Sequence, residues 1–238
     1  MLRWLMMLVL VVSTARADTN MDARVLLGRV VANRALKDFS LKARLIVGRK
    51  EPAFLEMFVK NTAAEKRTIY QAGTNSVMIV QPVKGEPRYF LRGAKLGDRL
   101  LGSDLTYYDL GTPFLRWPNP KYVGEERMRG RDTVVVEVKT TGQPYGRVKM
   151  WIDQEYFALL RVEAFDPDDG LVRRLGITSF KRIGEIWIPR GIEAATLLPH
   201  QSLPSEEKSR LEVYEGDYDA HLPGEWFAEE KFGAATGH

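Results

Sequence analysis

The chain has 238 residues, with 35 Lys+Arg against 31 Asp+Glu, three histidines and no cysteine. No basic run of the kind that tracks phosphates occurs, so a nucleic-acid partner is excluded, and the absent cysteine excludes a disulfide framework and a lipidated N-terminal cysteine. About 220 residues can be held as one domain by a core alone.

The chain opens with "MLRWLMMLVLVVSTARADTN": Arg3, an apolar run from Leu5 to Val12, then Ala15-Arg16-Ala17. This is the pattern of a secretory signal peptide, with cleavage expected after Ala17 and a mature chain in the periplasm. The rival reading is an uncleaved anchor, but the run is too short to span a bilayer. Removal of Arg3 and Arg16 leaves 33 basic against 31 acidic residues. The domain division expected is 1–17 as signal peptide and 18–238 as one folded unit, with a frayed, disordered tail over 233–238.

In "NMDARVLLGRVVANRALKD", Val25, Leu26, Val30 and Leu36 recur at helical spacing behind a capping Asp22, which predicts a helix from Asp22 to Lys37. The period then changes to two. "FSLKARLIV" places Phe39, Leu41, Ala43, Leu45 and Val47 on one face. "AFLEMFVK", "KRTIYQAG", "NSVMIVQP" and "PRYFLRG" follow as short strands between Gly, Pro and Asn. The second half supplies "RDTVVVEVKT", "YGRVKMWID", "ALLRVEAFD", "LVRRLGITSFKRI", "IWIPRGIEAAT" and "SRLEVYEG". "DPDDG" reads as a hairpin turn in which Gly170 takes positive φ. Short turns between strands mean antiparallel order, in a sandwich, a barrel or a strongly curled sheet.

Residues 93–120 break this rhythm. Leu96, Leu100, Leu101, Leu105, Tyr108 and Leu110 do not alternate and fit short helical turns, punctuated by Gly93, Gly97, Gly102 and Gly111. Within it, "GSDLTYYDL" (Gly102–Leu110) sets a serine beside an aspartate. A nucleophilic Ser103 would need a base and an elbow motif, and neither accompanies it. Gly102, Ser103 and Asp104 instead read as the turn and cap of a short helix, with Leu105 and Tyr108 facing inward and Tyr107 and Asp109 meeting solvent or backbone amides. His200, His221 and His238 lie far apart with no metal-ligand spacing, and no phosphate loop occurs. No metal, no cofactor and no catalytic residue are expected, and an esterase is the weakest reading.

These residues carry a resemblance. "LLGSDLTYYDL" resembles the Gly-Ser-Asp-aromatic-x-Tyr-x-Asp-Leu signature of the outer-membrane lipoprotein-sorting proteins, relatives of the carrier LolA, its receptor LolB and the sensor RseB. Val148-x-x-Trp151-x-Asp153, the strand Leu160-x-Val162-Glu163 and Trp187-x-Pro189 are similar to the same family, and the likeness runs over nearly all of the mature chain. Leu105 stands where related sequences usually carry Phe. The resemblance implies an α+β single domain: a strongly curved antiparallel sheet, an incomplete or half barrel of about 10–12 strands, with an N-terminal helix and short lid helices over the open mouth. The lid is the insertion at 93–120. It also implies an apolar cavity for acyl chains of a lipoprotein or other lipid, moved toward the outer membrane between an inner-membrane exporter and an outer-membrane acceptor. The alternative is an RseB-like lipid sensor. A monomer is expected.

Within the cavity that the resemblance implies, the residue pattern places Leu41, Leu45, Val47, Leu55, Met57, Val59, Met78, Val80, Phe90, Leu101, Leu105, Tyr108, Met150, Trp151 and Trp187 around cavity and lid, with Trp151 and Trp187 as either cavity wall or rim anchor. On the fourth strand both faces are apolar, so Val77 and Ile79 compete with Met78 and Val80. The concave side is filled either by the protein's own helix and insertion, as an ordinary core, or by a guest.

Overall fold

A computed structural model describes residues 22–33, 35–197 and 208–235. The signal peptide, His200 and His238 lie outside the described residues. Helix α1 spans Ala23–Ala32, and Asp22 caps it by accepting from the Arg24 amide. The helix is shorter than its periodicity predicts. Asp38 is drawn into the sheet, where its carboxylate accepts from the Asn61 amide and from Lys60 Nζ, and Leu36 is left 93% exposed. The chain cannot make those contacts and stay helical to Lys37.

Among the described residues twelve strands follow: β1 Phe39–Val47, β2 Ala53–Asn61, β3 Glu65–Ala72, β4 Asn75–Pro82, β5 Arg88–Phe90, β6 Lys121–Met128, β7 Arg131–Lys139, β8 Arg147–Asp153, β9 Leu159–Phe165, β10 Leu171–Ile183, β11 Ile186–Thr196 and β12 Ser209–Tyr218. They form one antiparallel sheet in the order β5-β4-β3-β2-β1-β12-β11-β10-β9-β8-β7-β6. The chain runs as two meanders joined where β1 pairs with β12. The edges β5 and β6 do not meet, so the barrel stays open. Edge strand β6 carries Lys121, Glu125, Glu126 and Arg127 on an exposed ribbon, a composition that discourages pairing with another chain.

The sheet is curved. The β10–β11 hairpin bends over its neighbours, so that a Cβ built on Gly216 of β12 would lie 2.9 Å from Ile183 and 3.0 Å from Leu41. In the "DPDDG" turn Asp169, not Gly170, takes positive φ (67°). Asp166 Oδ1 accepts the Gly170 amide at 2.7 Å and fixes the turn through its side chain instead.

The inner face is apolar along its length. Val134, Val136, Val148, Met150 and Val162 pack with Leu26 and Leu27 of α1, and Leu41, Ala43, Leu45, Leu55, Met57, Leu211 and Val213 form a second cluster. At the β3–β5 end the outer face is also buried. Ile69, Met78, Val80 and Phe90 lie beneath Leu222, Phe227 and Phe232 of the C-terminal segment. Among the described residues, no helix is long and apolar enough to cross a membrane.

Candidate functional site: a latched lid over an apolar sheet

The segment between β5 and β6 crosses the inner face. Leu100–Gly102 forms a 3-10 turn, Tyr107–Gly111 is helix α2, and Pro113–Arg116 is a second 3-10 turn packed against α1. Leu100 and Leu105 enter the cluster of Leu41, Leu45, Leu55 and Met57. Tyr108, Phe114 and Trp117 enter the cluster of Met150 and Leu26. Tyr107 and Leu110 pack against Val77, Ile79, Tyr89 and Leu91. In this closed form the protein's own lid side chains occupy the concave side where the sequence leaves room for a guest.

The cap of α2 is Thr106, not Ser103 and Asp104. Thr106 Oγ1 accepts the Asp109 amide at 3.2 Å, while Asp109 Oδ2 accepts the Thr106 amide at 3.1 Å and its hydroxyl at 2.7 Å. This reciprocal box satisfies two amides that the helix start leaves unpaired. Ser103 Oγ accepts the Leu105 amide at 3.1 Å, a local turn contact. Gly102 turns the chain with φ 75°.

Asp104 is left without a capping role, and both Asp104 and Asp109 fasten the lid to the sheet. Both are buried. Asp104 Oδ1 accepts from Thr196 Oγ1 at 2.6 Å, its Oδ2 accepts from Ser209 Oγ at 3.0 Å, and its own amide donates to Ser209 Oγ at 2.8 Å. Asp109 Oδ1 accepts from Tyr145 Oη at 2.7 Å, and its Oδ2 lies 3.6 Å from Arg173 Nε. Arg173, on β10, also donates to the Asp104 carbonyl and to Thr196 Oγ1. Burial opposes the charge of Arg173, but Asp109, Tyr145 and Asp104 outweigh it and raise its pKa. Burial likewise pushes the Tyr145 phenol up, and Asp109 adds to the shift. The expectation that Asp109 meets solvent or backbone amides holds for the Thr106 amide and fails for solvent: the carboxylate is buried and also faces Arg173.

A second set of contacts holds the far end of α2. Gln81 Nε2 donates to the Gly111 carbonyl at 2.8 Å, and Arg116 Nη2 donates to the Pro82 carbonyl at 2.8 Å. Gly111 is a close-approach position: a Cβ there would lie 2.0 Å from Tyr89 Oη.

Of the residues placed around the cavity by sequence, Leu41, Leu45, Leu55 and Met57 share the inner face with Leu105, and Met150 shares it with Tyr108. Val59 is buried on the same strand face, and Val47 is half-buried opposite Ser209. Met78, Val80 and Phe90 face the other way, under the C-terminal segment. Val77, Ile79 and Tyr89 take the lid side. Strand β4 is buried on both faces, so its alternation carries no signal of side. Trp151 also lies outside: its ring donates to Glu126 at 2.8 Å and stacks with Lys149 and Arg161, while Met150 and Ile152 turn inward. Trp187 is 66% exposed and Leu101 is 38% exposed, so neither lines the inner face.

Sequence reading missed Phe114, Trp117, Tyr145, Arg173, Thr196 and Ser209. One signal was present: Thr106-x-x-Asp109 has capping-box spacing, which places the helix start four residues later than Gly102. The latch partners come from β10, β11, β12 and the β7–β8 connection, and no local pattern brings them together.

Comparison with curated proteins finds no match. Solved structures of this fold do. A domain named for outer membrane lipoprotein sorting, from Vibrio parahaemolyticus, superposes with a TM-score of 0.72 at 14% identity, covering 88% of this chain and 97% of that one. A DUF1329 family protein from Desulfovibrio piger gives a TM-score of 0.72 at 16% identity over 88% and 97% of the two chains. A LolA superfamily protein from Nitrosomonas europaea gives 0.58 at 16% identity over 88% and 98%. A family model described as "-like: Uncharacterized protein" matches residues 57–233. The chain therefore belongs to the family of that model, and its open half barrel is a fold it shares with the lipoprotein-sorting domain and the LolA superfamily protein.

Proposed function

We propose that the protein binds acyl chains of a lipoprotein or another lipid on the inner face of the sheet, with residues 93–120 displaced as a lid, and carries them through the periplasm toward the outer membrane. One observation supports this reading above the others. The lid is fastened to an apolar face through a buried polar latch, Asp104 on Thr196 and Ser209 and Asp109 on Tyr145 and Arg173. Apolar packing of Leu100, Leu105, Tyr108 and Phe114 joins the two as well, and the latch adds polar contacts that such packing does not require. Polar groups released from a latch regain hydrogen bonds in water, so a polar latch opens at lower cost than an apolar seam of equal area.

The energy scale fits a carrier. Each buried CH₂ contributes about 0.8 kcal/mol, so a chain of ~16 carbons gains on the order of 13 kcal/mol before ordering costs. Binding of that strength does not release on a useful timescale unless lid opening offsets part of it. A closed empty state, with Leu100, Leu105, Tyr108 and Phe114 standing in for the guest, supplies that offset. The name of one structural neighbour, a domain for outer membrane lipoprotein sorting, agrees with lipoprotein cargo.

The test is a titration of delipidated full-length protein with a fluorescent 16-carbon fatty acid, followed by hydrogen exchange of the lid amides. Saturable binding with faster exchange over 93–120 supports the reading. Absence of binding, or binding that leaves lid exchange unchanged, removes it.

A further inference from the structure

On the face away from the lid, the sheet splits. Strand β9 pairs with β10 only as far as Gly176, and beyond it β10 pairs with β11 alone. A hollow of about 360 Å³ lies at this split. That volume is at the lower end of the range of small-molecule sites, about 300–1,000 Å³. Trp151, Arg161, Gly176 and Glu193 are in register across β8–β11, on the face opposite Met150 and Val162, so the charged side of the hollow faces outward, while Leu175 and Ala194 bound it from the inner side. Its floor is low because Gly176 and Ala195 supply little or no side chain.

The rim is cationic. Arg161, Arg174, Arg129 and Lys208 line the hollow against Glu193. Glu163 is shared by two of them, at 2.7 Å from Arg161 and 2.9 Å from Arg174, so one carboxylate serves two guanidinium groups. Arg129 is held in place by donating at 2.8 Å to the Ile177 carbonyl, which the departure of β9 leaves outside the β9–β10 ladder. Its backbone (φ 51°) and that of Gly130 (φ 81°) form the tight β6–β7 turn that aims the side chain there. Arg161 is fixed from below by the Trp151 ring, 5.0 Å from its guanidinium. Four cations against two carboxylates leave an excess of positive charge in a walled space, with planar donor forks suited to phosphate oxygens.

We propose that this outward hollow binds a small phosphate-bearing ligand, either a soluble phosphomonoester or the phosphorylated head group of a lipid. The charged rim lies on the face opposite the acyl-binding one, with Leu175 and Ala194 of the inner clusters backing the hollow, and the proposal stands whether or not that reading holds.

The experiment uses the full chain and two probes. The first is sn-glycerol 3-phosphate, followed by calorimetry. The second is phosphatidylcholine vesicles with and without phosphatidylglycerol, followed by co-sedimentation. Gly176→Leu fills the hollow without touching a charge, and a Cβ at that position meets only the Leu160 carbonyl, at 4.0 Å, so the variant should fold. Arg129→Ala, at an exposed turn, is the second variant. The expected result is salt-sensitive binding of glycerol 3-phosphate that falls about tenfold or more in both variants, with fatty-acid binding unchanged. Co-sedimentation that requires phosphatidylglycerol and is lost in both variants identifies the lipid head group as the source. Binding of the soluble ester alone identifies a free phosphomonoester. Failure of the wild type to bind either probe, or binding that Gly176→Leu and Arg129→Ala leave intact, overturns the proposal.

Discussion

Tyr145 Oη donates to Asp109 Oδ1 at 2.7 Å and so ties the connection between β7 and β8 to the only carboxylate in the cap of α2. The same carboxylate completes the capping box and faces Arg173. One side chain therefore starts the lid helix and anchors it to the sheet. Loss of that anchor and loss of the helix start are coupled.

Asp104 gives the cleanest test of the latch, because it fastens the lid without starting a helix. Asp104→Asn should lower stability by about 1–3 kcal/mol, since Thr196 and Ser209 lose a charged acceptor in a buried site. It should also tighten fatty-acid binding, because opening then costs less. Urea unfolding and fluorescence titration on the same preparation measure both. Destabilisation with weaker binding would mean that Asp104 shapes the site and does not restrain the lid.

Gly111 and Tyr89 should behave as a coupled pair. Gly111→Ala is expected to destabilise by about 1–3 kcal/mol through overpacking against the phenol. In a Tyr89→Phe background the penalty should shrink, since Oη is the nearest atom to the added Cβ. A double-mutant cycle by thermal unfolding measures the coupling, and strictly additive effects would place the clash elsewhere.

Ile79 and Val80 are sequence neighbours on opposite faces, both fully buried. Each Ala substitution should cost about 1–4 kcal/mol. Only Ile79→Ala should change fatty-acid affinity, because only Ile79 stands on the lid side. Equal effects on affinity would contradict the assignment of faces.

Alkaline pH should loosen the lid. Burial raises the phenols of Tyr145, Tyr108 and Tyr89 above their ordinary value. The folded state then holds more protons than the unfolded chain, so stability is complete below about pH 10 and falls as pH rises from there toward the raised values. Tyr145→Phe should flatten this decline while lowering stability at neutral pH. Chemical unfolding at a series of pH values up to about 11 would read out the slope.

The alternation of β1 and β2 was legible because one face of each is solvated, so Leu41, Leu45, Leu55 and Met57 announce their side by period alone. The same rule fails on β4, where lid and C-terminal segment cover both faces, and on Trp151, whose outward ring is buried by Glu126, Lys149 and Arg161. Edge strand β6 gave no strand signal, since "KYVGEERM" is exposed along nearly its whole length and carries no apolar period.

By itself the sequence determined an antiparallel sheet of short strands, an apolar inner face and a Gly-punctuated insertion, because turn chemistry and period-two burial act between near neighbours. The tertiary structure alone decided which side of β4 meets the lid, where Asp104 and Asp109 find their partners, and where β9 leaves β10 to open a cationic hollow. Those outcomes depend on groups brought together from distant strands, and their physical cause is the curvature of an unclosed sheet, which no local spacing of residues encodes.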